Sequence, residues 1–241
     1  MKLTGKEILR RIKTGAIRID PFEPKHVNPN SVDLRLDRKL LVYLADPLVQ
    51  RHPGSSSSPT RYVEEVRHVW DQERDLASRG NRFSRSNPYI ELAEWYNVLD
   101  MAEKNETYEL EIPDSGLVLV PGRLYLGQTL EYTETHDCVP CIEGRSSVGR
   151  LGINIHATAG FGDVGFCGTW TLEISVVEPV RVYPHVRFCQ ISYDTVVGEI
   201  TKYNSEKYQG QRAPRPSGIW KELARSSDEE IRTGQAQEEN A

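Results

Sequence analysis

Short strand-like segments separated by glycine and proline turns are the main pattern in the second half of the chain. Residues 108–112, 117–120 and 123–132 carry strand signals, and the turns PDSG and PG separate them. Residues 181–193 repeat the pattern further along the chain. Many short strands with such turns are typical of an all-β barrel or jelly roll. The sequence therefore predicts an all-β fold.

Two parts of the first half depart from this pattern. Thr4 and Glu7 form a capping-box pair, and apolar residues follow at helical spacing, so a short helix is predicted to end near Gly15. Residues 46–105 begin with a serine-rich run and continue with apolar residues at helical spacing. We interpret them as a partly helical insertion within a single domain that spans residues 1–224.

The composition limits the class of function. The 241 residues carry a net charge of -5, whereas general nucleic-acid binders are usually basic. No apolar run approaches the ~20 residues that span a bilayer, and the N-terminus lacks a signal-peptide core. The four cysteines suit free thiols in a reducing compartment. We expect a cytoplasmic protein without a membrane or nucleic-acid partner.

Residues 144–150, with the sequence GRSSVGR, indicate phosphate chemistry. Arginine forks match phosphate oxygens, and serine hydroxyls and turn amides add further donors. Glycines allow the backbone to approach a ligand closely. The alternative is a solvated turn in which Arg145 and Arg150 pair with surface acids.

The residues that follow predict a strand, a turn and a second strand. Residues 151–155 alternate apolar with polar or small positions, and residues 157–166 are small and glycine-rich around Asp163. In the next strand Thr169, Thr171, Glu173 and Ser175 share one face. Glu173 is therefore predicted to lie on an otherwise neutral hydroxyl face.

Three segments together resemble the dCTP deaminases, which are relatives of the trimeric dUTPases. They are RSSVGRLG at 145–152, HATAGFGDVGF at 156–166 and TLE at 171–173. The Ser-x-Asp-Leu-Arg sequence that contains Asp33 resembles the first motif shared by both families. The resemblance implies a dUTPase-like distorted jelly-roll β-barrel and the hydrolytic deamination of dCTP to dUTP and ammonia.

The resemblance also implies catalytic roles. Glu173 would shuttle protons, while Ser146 and the backbone carbonyl of Ala159 would hold the attacking water. Arg150 would stabilise the reacting base, and Asp163 would contact the 3′-hydroxyl of the sugar. The nucleotide-binding residues implied by the family motifs are Arg145, Ser147, Val148, Gly149, Thr171, Leu172, Gln190, Tyr203, Lys207 and Gln211.

The family also suggests cofactors, partners and a closing segment. Mg²⁺ would arrive bound to the triphosphate, since phosphate-bound Mg²⁺ keeps few protein ligands. Residues 198–224 would form a tail that closes over the triphosphate, and the acidic residues 225–241 are predicted to be disordered. The assembly would be a homotrimer with its sites between subunits.

Zinc is not expected to take part in the reaction. Zinc nucleobase deaminases use His-x-Glu followed by Pro-Cys-x-x-Cys, and none of the six histidines here precedes a glutamate at that spacing. The pair Cys138 and Cys141 has metal spacing, but no second pair accompanies it. We therefore interpret these cysteines as structural.

The product and the class of activity have alternatives. Gly160 and Phe161 resemble the bifunctional branch, which carries dCTP through dUTP to dUMP and pyrophosphate. Val164 stands where most relatives have proline and alters the turn around Asp163, so we expect dUTP as the product and keep dUMP as the alternative. A plain dUTPase would have an apolar residue in place of Glu173. A non-catalytic nucleotide-binding regulator would have lost Glu173, Arg150 or Ser146, and all three are present.

Overall fold

The computed structural model describes residues 1–43, 99–205 and 207–224. Residues 46–98 of the predicted insertion and the acidic tail at 225–241 lie outside the described residues. The described chain groups into two compact units. The larger unit contains residues 1–42 and 109–215, apart from residue 206. The single domain predicted over residues 1–224 stays a prediction.

The smaller unit contains residue 43 together with residues 99–108 and 216–224. Residues 100–105 of this unit form a turn. The Asn105 side chain accepts a hydrogen bond from the Asp100 amide at 2.9 Å and donates to the Asp100 carbonyl at 2.7 Å. The amide of Ser217 donates to the Tyr43 hydroxyl at 3.0 Å.

Two short α-helices and one 3-10 helix (Pro24–His26) lie in the described part of the larger unit. Helix α1 (Gly5–Thr14) begins where Thr4 Oγ1 accepts a hydrogen bond from the Glu7 amide at 3.3 Å. It ends at Gly15, whose φ of 77° is in the left-handed region that glycine adopts without steric cost. The predicted N-terminal helix is confirmed. Helix α2 (Ser146–Gly149) is a single turn, and no helix of the described residues is long and apolar enough to cross a membrane.

Strands form most of the remaining regular structure. In chain order they are β1 (Ile17–Asp20), β2 (Val32–Arg35), β3 (Lys39–Tyr43), β4 (Thr107–Glu111), β5 (Leu117–Leu119), β6 (Tyr125–Gln128), β7 (Tyr132–Thr135), β8 (Cys138–Gly144), β9 (Ile153–Asn154), β10 (Cys167–Gly168), β11 (Thr171–Val176), β12 (Val180–Val182) and β13 (Arg187–Thr195). The all-β prediction is confirmed.

The strands form four small sheets. One has the order β4-β3-β6-β11-β9, and a second has the order β2-β13-β8. The others are β1-β7-β10 and the pair β12-β5. Neighbours in the chain are often not neighbours in a sheet, so each sheet joins strands that are far apart in sequence.

Strand β11 has the alternating burial that its sequence predicts. Leu172, Ile174 and Val176 are buried, whereas Thr171 and Glu173 are half-buried on the opposite face. Antiparallel pairing with β6 on one side and β9 on the other sets the register of this strand. The strand therefore holds Glu173 away from the core.

Close packing explains part of the glycine content of the loop that precedes β11. A Cβ atom at Gly162 would overlap the outer edge of the Trp170 ring. The ring cannot easily move, because Trp170 is buried and its Nε1 donates to Thr133 Oγ1 at 2.9 Å. Gly162 is therefore required where the loop crosses this tryptophan.

We predict that Gly162→Ala lowers the free energy of unfolding by about 1–3 kcal/mol, because overpacking displaces a fixed ring. Gly144→Ala is the matched control, since an added Cβ there would meet only Ile155 at 4.0 Å. Chemical denaturation of both variants measures the difference. Equal stability of the two variants would contradict the packing argument.

Candidate active site

Helix α2 presents polar groups at the surface. The amides of Val148 and Gly149 both bond to the Arg145 carbonyl at 2.9 Å, which closes the turn. Ser146, Ser147 and Arg150 are exposed. The turn therefore offers two hydroxyls and one guanidinium to solvent, and these are donors that suit an anionic ligand.

The two arginines of this segment differ in their surroundings. Arg145 Nε donates to Asp33 Oδ1 at 3.0 Å, and Arg145 Nη1 donates to the Arg187 carbonyl at 3.0 Å. Asp33 is almost fully buried, with a side chain only 2% exposed. Among the described residues Arg150 has no ion-pair partner. The alternative in which the arginines of this segment pair with acids therefore fits Arg145 but not Arg150.

Glu173 links β11 to the glycine-rich loop. Its Oε2 accepts a hydrogen bond from the Ala157 amide at 3.2 Å. This bond fixes one carboxylate oxygen, and within the described part of the chain the other has no hydrogen-bond partner. A half-buried carboxylate held in this way can accept a proton from a ligand on its free side.

His156 fastens the start of the same loop to β8. Its Nε2 lies 3.0 Å from the Ile142 carbonyl, which can only accept, so Nε2 carries the proton. A Cβ on Gly160 would come within 2.8 Å of the His156 ring. These contacts indicate that His156 is a hydrogen-bonded structural residue.

The turn around Asp163 is closed. The Phe166 amide donates to the Asp163 carbonyl at 3.1 Å, and the Tyr203 amide donates to the Val164 carbonyl at 2.7 Å. Val164 is 6% exposed, while Asp163 and Ala159 are exposed. A buried valine therefore occupies this turn in place of proline, and the Asp163 carboxylate lies at the surface.

The predicted closing tail is attached to the strands that carry the site. Gln211 is 4% exposed, and its Nε2 donates to the Thr169 carbonyl at 2.6 Å and to Thr171 Oγ1 at 3.3 Å. The Arg215 amide donates to the same hydroxyl at 3.2 Å. Tyr203 packs edge-on against the Phe166 ring, with centroids 5.9 Å apart. The tail therefore contacts the residue two positions before Glu173.

Gln190 has both ends of its amide engaged. Its Nε2 donates to the Gly144 carbonyl at 3.0 Å, and its Oε1 accepts from Ser31 Oγ at 2.7 Å. These bonds join β13 to the residue before Arg145 and to the start of β2. Gln190 thus braces the segment that precedes α2, and its predicted contact with nucleotide stays a prediction.

The predicted residues form two groups in the chain. One group surrounds β11 and contains Glu173, Thr171, Leu172, the loop with Ala159 and Asp163, and the tail with Tyr203, Lys207 and Gln211. The other surrounds α2 and contains Arg145, Ser146, Ser147, Val148, Gly149, Arg150 and Gln190. Within the described residues, no hydrogen bond or ion pair joins Glu173 to Ser146 or Arg150.

Sequence reasoning missed Arg187, which shares the Asp33 carboxylate with Arg145 at 3.2 Å from Nη1. Asp33, in the Ser-x-Asp-Leu-Arg motif, braces both arginines. Arg187 lies 154 residues from Asp33. Nothing in a local pattern could have revealed that contact.

Comparison with known proteins identifies the family to which this chain belongs. The model of the dCTP deaminase-like family matches residues 2–73 and 75–196. The chain belongs to the dCTP deaminase-like family. A Leptospira biflexa protein named "dCTP deaminase, dUMP-forming" is 44% identical over 223 residues, which cover 92% of this chain and 98% of that protein. A Hathewaya histolytica protein of the same name is 41% identical and covers 92% and 99%.

A solved structure was also found, a 2′-deoxycytidine 5′-triphosphate deaminase from Agrobacterium tumefaciens. It is 20% identical, with a TM-score of 0.48, and the match covers 81% of this chain and 48% of that chain. The family assignment rests on the family model and the two relatives above.

The four cysteines of this family member are free thiols. Burial raises the pKa of the Cys138 and Cys141 thiols. Cys138 lies 2.9 Å from Thr135 Oγ1, and Cys141 donates to Asp194 at 3.7 Å. In the described ranges no three histidine, cysteine, aspartate or glutamate side chains cluster as metal ligands do. The predicted nucleotide-borne Mg²⁺ and zinc-free chemistry remain predictions.

We predict that Thr171→Val loosens the tail, because it removes the hydroxyl that accepts from Gln211 and Arg215. Each net hydrogen bond contributes about 0.5–1.5 kcal/mol, so the amides of residues 209–215 should exchange roughly 2- to 10-fold faster. Hydrogen exchange measures the change. Ser175→Ala on the same strand face is the control, and equal tail protection in both variants would contradict the attachment.

Proposed function

We propose that this protein converts dCTP to dUMP, ammonia and pyrophosphate in two hydrolytic steps. The first step consumes one water and releases ammonia, which gives dUTP. The second step consumes another water and breaks the bond between the α-phosphorus and its bridging oxygen. Both relatives described above are named for dUMP formation, which favours dUMP over the dUTP product that the sequence led us to expect.

The observation that carries the proposal is the position of Glu173. Deamination requires a group that takes a proton from water as it attacks C4 of cytosine and delivers protons to N3 and then to the leaving amine. One carboxyl group can perform both tasks in turn. Glu173 is half-buried beside two hydroxyl residues, and the Ala157 amide holds one of its oxygens. Its other oxygen has no hydrogen-bond partner among the described residues and is available to a base.

Groups of α2 and the loop would complete the first step. Ser146 and the carbonyl of Ala159 hold the attacking water, and Arg150 stabilises charge on the reacting base. The exposure of all three residues is consistent with contact to a ligand. Arg150 has no acid neighbour to neutralise it among the described residues, so its charge is available to the base.

Asp163 would act in the second step. Its carboxylate lies at the surface of a closed turn, where it contacts the sugar hydroxyl and orients a water toward the α-phosphorus. Arg145, Ser147 and Lys207 would hold the phosphates, and Mg²⁺ that arrives with the triphosphate would offset their negative charge. Two backbone hydrogen bonds close the turn at Asp163 and Val164. They fix the backbone of Asp163 although valine replaces proline, which supports a second, diphosphatase activity.

A homotrimer would bring the two groups of residues together. The group around Glu173 and the group around α2 share no hydrogen bond in one chain, among the residues that the structure describes. Helix α2 is exposed, so a second subunit can present its Ser146 and Arg150 to the Glu173 of the first. A plain dUTPase is disfavoured by the carboxylate at position 173, which has no task in uracil nucleotide hydrolysis.

We predict that Glu173→Gln lowers the rate of ammonia release from dCTP by about 10²–10⁴-fold, because the amide cannot accept the proton. Binding of dCTP should be kept, since glutamine preserves the shape of the side chain. Glu178→Gln, at an exposed position just beyond the same strand, is the matched control. Near-normal ammonia release by the Glu173 variant would remove this residue from the mechanism.

Asp163→Asn separates the two steps. The wild-type protein should release ammonia and pyrophosphate in equal amounts from dCTP and Mg²⁺, whereas the variant should release ammonia and accumulate dUTP, since water activation at the α-phosphorus is lost. Chromatography of the nucleotides measures both products. If the wild-type protein forms dUTP alone after long incubation, the second activity is absent.

A further inference from the structure

The tail that contains Gln211 lies along the outer edge of β10. The Gly210 amide donates to the Cys167 carbonyl at 2.7 Å, and the Thr169 amide donates to the Gln211 carbonyl at 2.9 Å. On its other edge β10 pairs with β7. The tail therefore adds an extended segment to the sheet β1-β7-β10.

Gly168 in β10 allows the tail to come this close. A Cβ atom at this position would lie 3.2 Å from Cγ of Gln211 and 3.2 Å from its carbonyl oxygen. Contacts of this length are tighter than most side chains tolerate, and glycine avoids them because it has no side chain. The sequence of β10 therefore suits a strand that the tail covers.

The outer face of the same sheet carries charged groups around one aromatic ring. In the register of β1 and β7, Arg18 lies opposite Glu134 and Asp20 lies opposite Tyr132, so these four side chains share one face. Arg18 donates to Asp20 at 3.0 Å and to Glu134 at 3.1 Å. With two carboxylates for one guanidinium, the four side chains together carry one negative charge, and the half-buried ring of Tyr132 lies among them.

Arg212 of the tail brings a cation to this face. Its Cζ lies 4.4 Å from the centroid of the Tyr132 ring, whereas Cζ of Arg18 lies at 5.7 Å. A guanidinium at this distance is attracted to the negative face of an aromatic ring. Arg212 is exposed, and among the described residues it has no carboxylate partner. The ring of Tyr132 is therefore the group that holds this side chain.

The side chain of Arg212 attaches the tail to a second strand. Neighbouring strands lie about 4.8 Å apart, so the backbone of the tail is roughly two such spacings from β7. An arginine is long enough to reach across β10, and a short side chain is not. The contact with Tyr132 therefore adds an attachment on β7 to the backbone attachment on β10.

This attachment lies next to the residues of the candidate site. Arg212 follows Gln211, whose amide nitrogen donates to Thr171 Oγ1 at 3.3 Å, and Thr171 lies two positions before Glu173. A segment that is held in place before a ligand arrives loses less conformational freedom when the ligand binds. The contact on β7 therefore bears on nucleotide binding without touching the nucleotide.

We propose that Tyr132 is a positioning residue, which holds the tail against β7 through Arg212 so that a nucleotide meets the tail already in place. The role in nucleotide binding rests on the proposed function. The attachment itself rests on the geometry of the two side chains and of β10. Tyr132 acts on the ligand only through the tail.

Hydrogen exchange of the full-length, nucleotide-free protein tests the attachment. Tyr132→Leu and Arg212→Gln should each make the amides of residues 209–215 exchange about 2- to 5-fold faster, as expected for the loss of one exposed cation–π contact. The double variant should exchange no faster than either single variant, because both changes remove the same contact. Tyr132→Phe keeps the ring and should exchange as the wild type does. Arg18→Gln is the matched control and should not speed exchange, since Arg18 lies farther from the ring.

Wild-type exchange in both single variants, or effects that add in the double variant, would overturn the attachment. Tyr132→Phe that exchanges as fast as Tyr132→Leu would overturn the role of the ring. If the leucine variant does not fold, as judged by its thermal unfolding, Arg212→Gln decides, because it changes an exposed residue. Wild-type exchange of the tail in that variant overturns the attachment, and exchange that is about 2- to 5-fold faster supports it.

Steady-state kinetics with dCTP tests the consequence for binding. Tyr132→Leu should raise KM about 2- to 5-fold and leave kcat unchanged, because saturating nucleotide restores the attached tail. Tyr132→Phe should have the KM of the wild type. A KM that rises in Arg212→Gln but not in Tyr132→Leu would show that Arg212 contacts the nucleotide itself, and it would overturn the positioning role. Equal KM values in all variants would overturn it as well.

The two experiments separate this proposal from the proposed function. Hydrogen exchange needs neither nucleotide nor turnover. A protein that does not convert dCTP, but whose tail responds to Tyr132 and Arg212 as described, would contradict the proposed reaction and support the attachment. A protein that converts dCTP with a tail insensitive to both residues would do the reverse.

Discussion

The register of β11 determines where the candidate catalytic carboxylate lies. Side chains alternate between the two faces of a strand, so a slip of one residue would exchange Glu173 with Leu172 or Ile174. Those two residues are 1% and 0% exposed. A carboxylate in their place would lose its hydration without a partner, which is strongly unfavourable. Pairing with β6 and β9 and the apolar face together keep Glu173 on the accessible side.

Two other parts of the structure are attached to this strand, the glycine-rich loop and the tail. The glycine-rich loop reaches Glu173 through the Ala157 amide, and the tail reaches Thr171 through Gln211 and Arg215. The Trp170 ring, just before the strand, supports the loop at Gly162. The carboxylate, the loop and the tail therefore share one rigid support, which is the arrangement that positions a reacting group within the tolerance of catalysis.

The sequence predicted those elements of the fold that depend on residues close together in the chain. The capping pair at Thr4 and Glu7 predicted α1, and alternation predicted the two faces of β11. The sharing of Asp33 by Arg145 and Arg187 was not predictable, because 112 and 154 residues separate the partners. The hydrogen bonds that the amide nitrogens of Gln190 and Gln211 donate to the protein were equally unpredictable, since a glutamine in a motif does not reveal whether its amide faces a ligand or the protein.

We propose that both hydrolytic steps take place at one site and that dUTP stays bound between them, since Glu173 is hydrogen-bonded to the loop that carries Asp163. Rapid mixing of the protein with radiolabelled dCTP in a large excess of unlabelled dUTP tests this directly. We expect the label to appear in dUMP at the rate seen without unlabelled dUTP, because the intermediate stays bound. Label that accumulates in dUTP and reaches dUMP only after dilution by the unlabelled pool would contradict it.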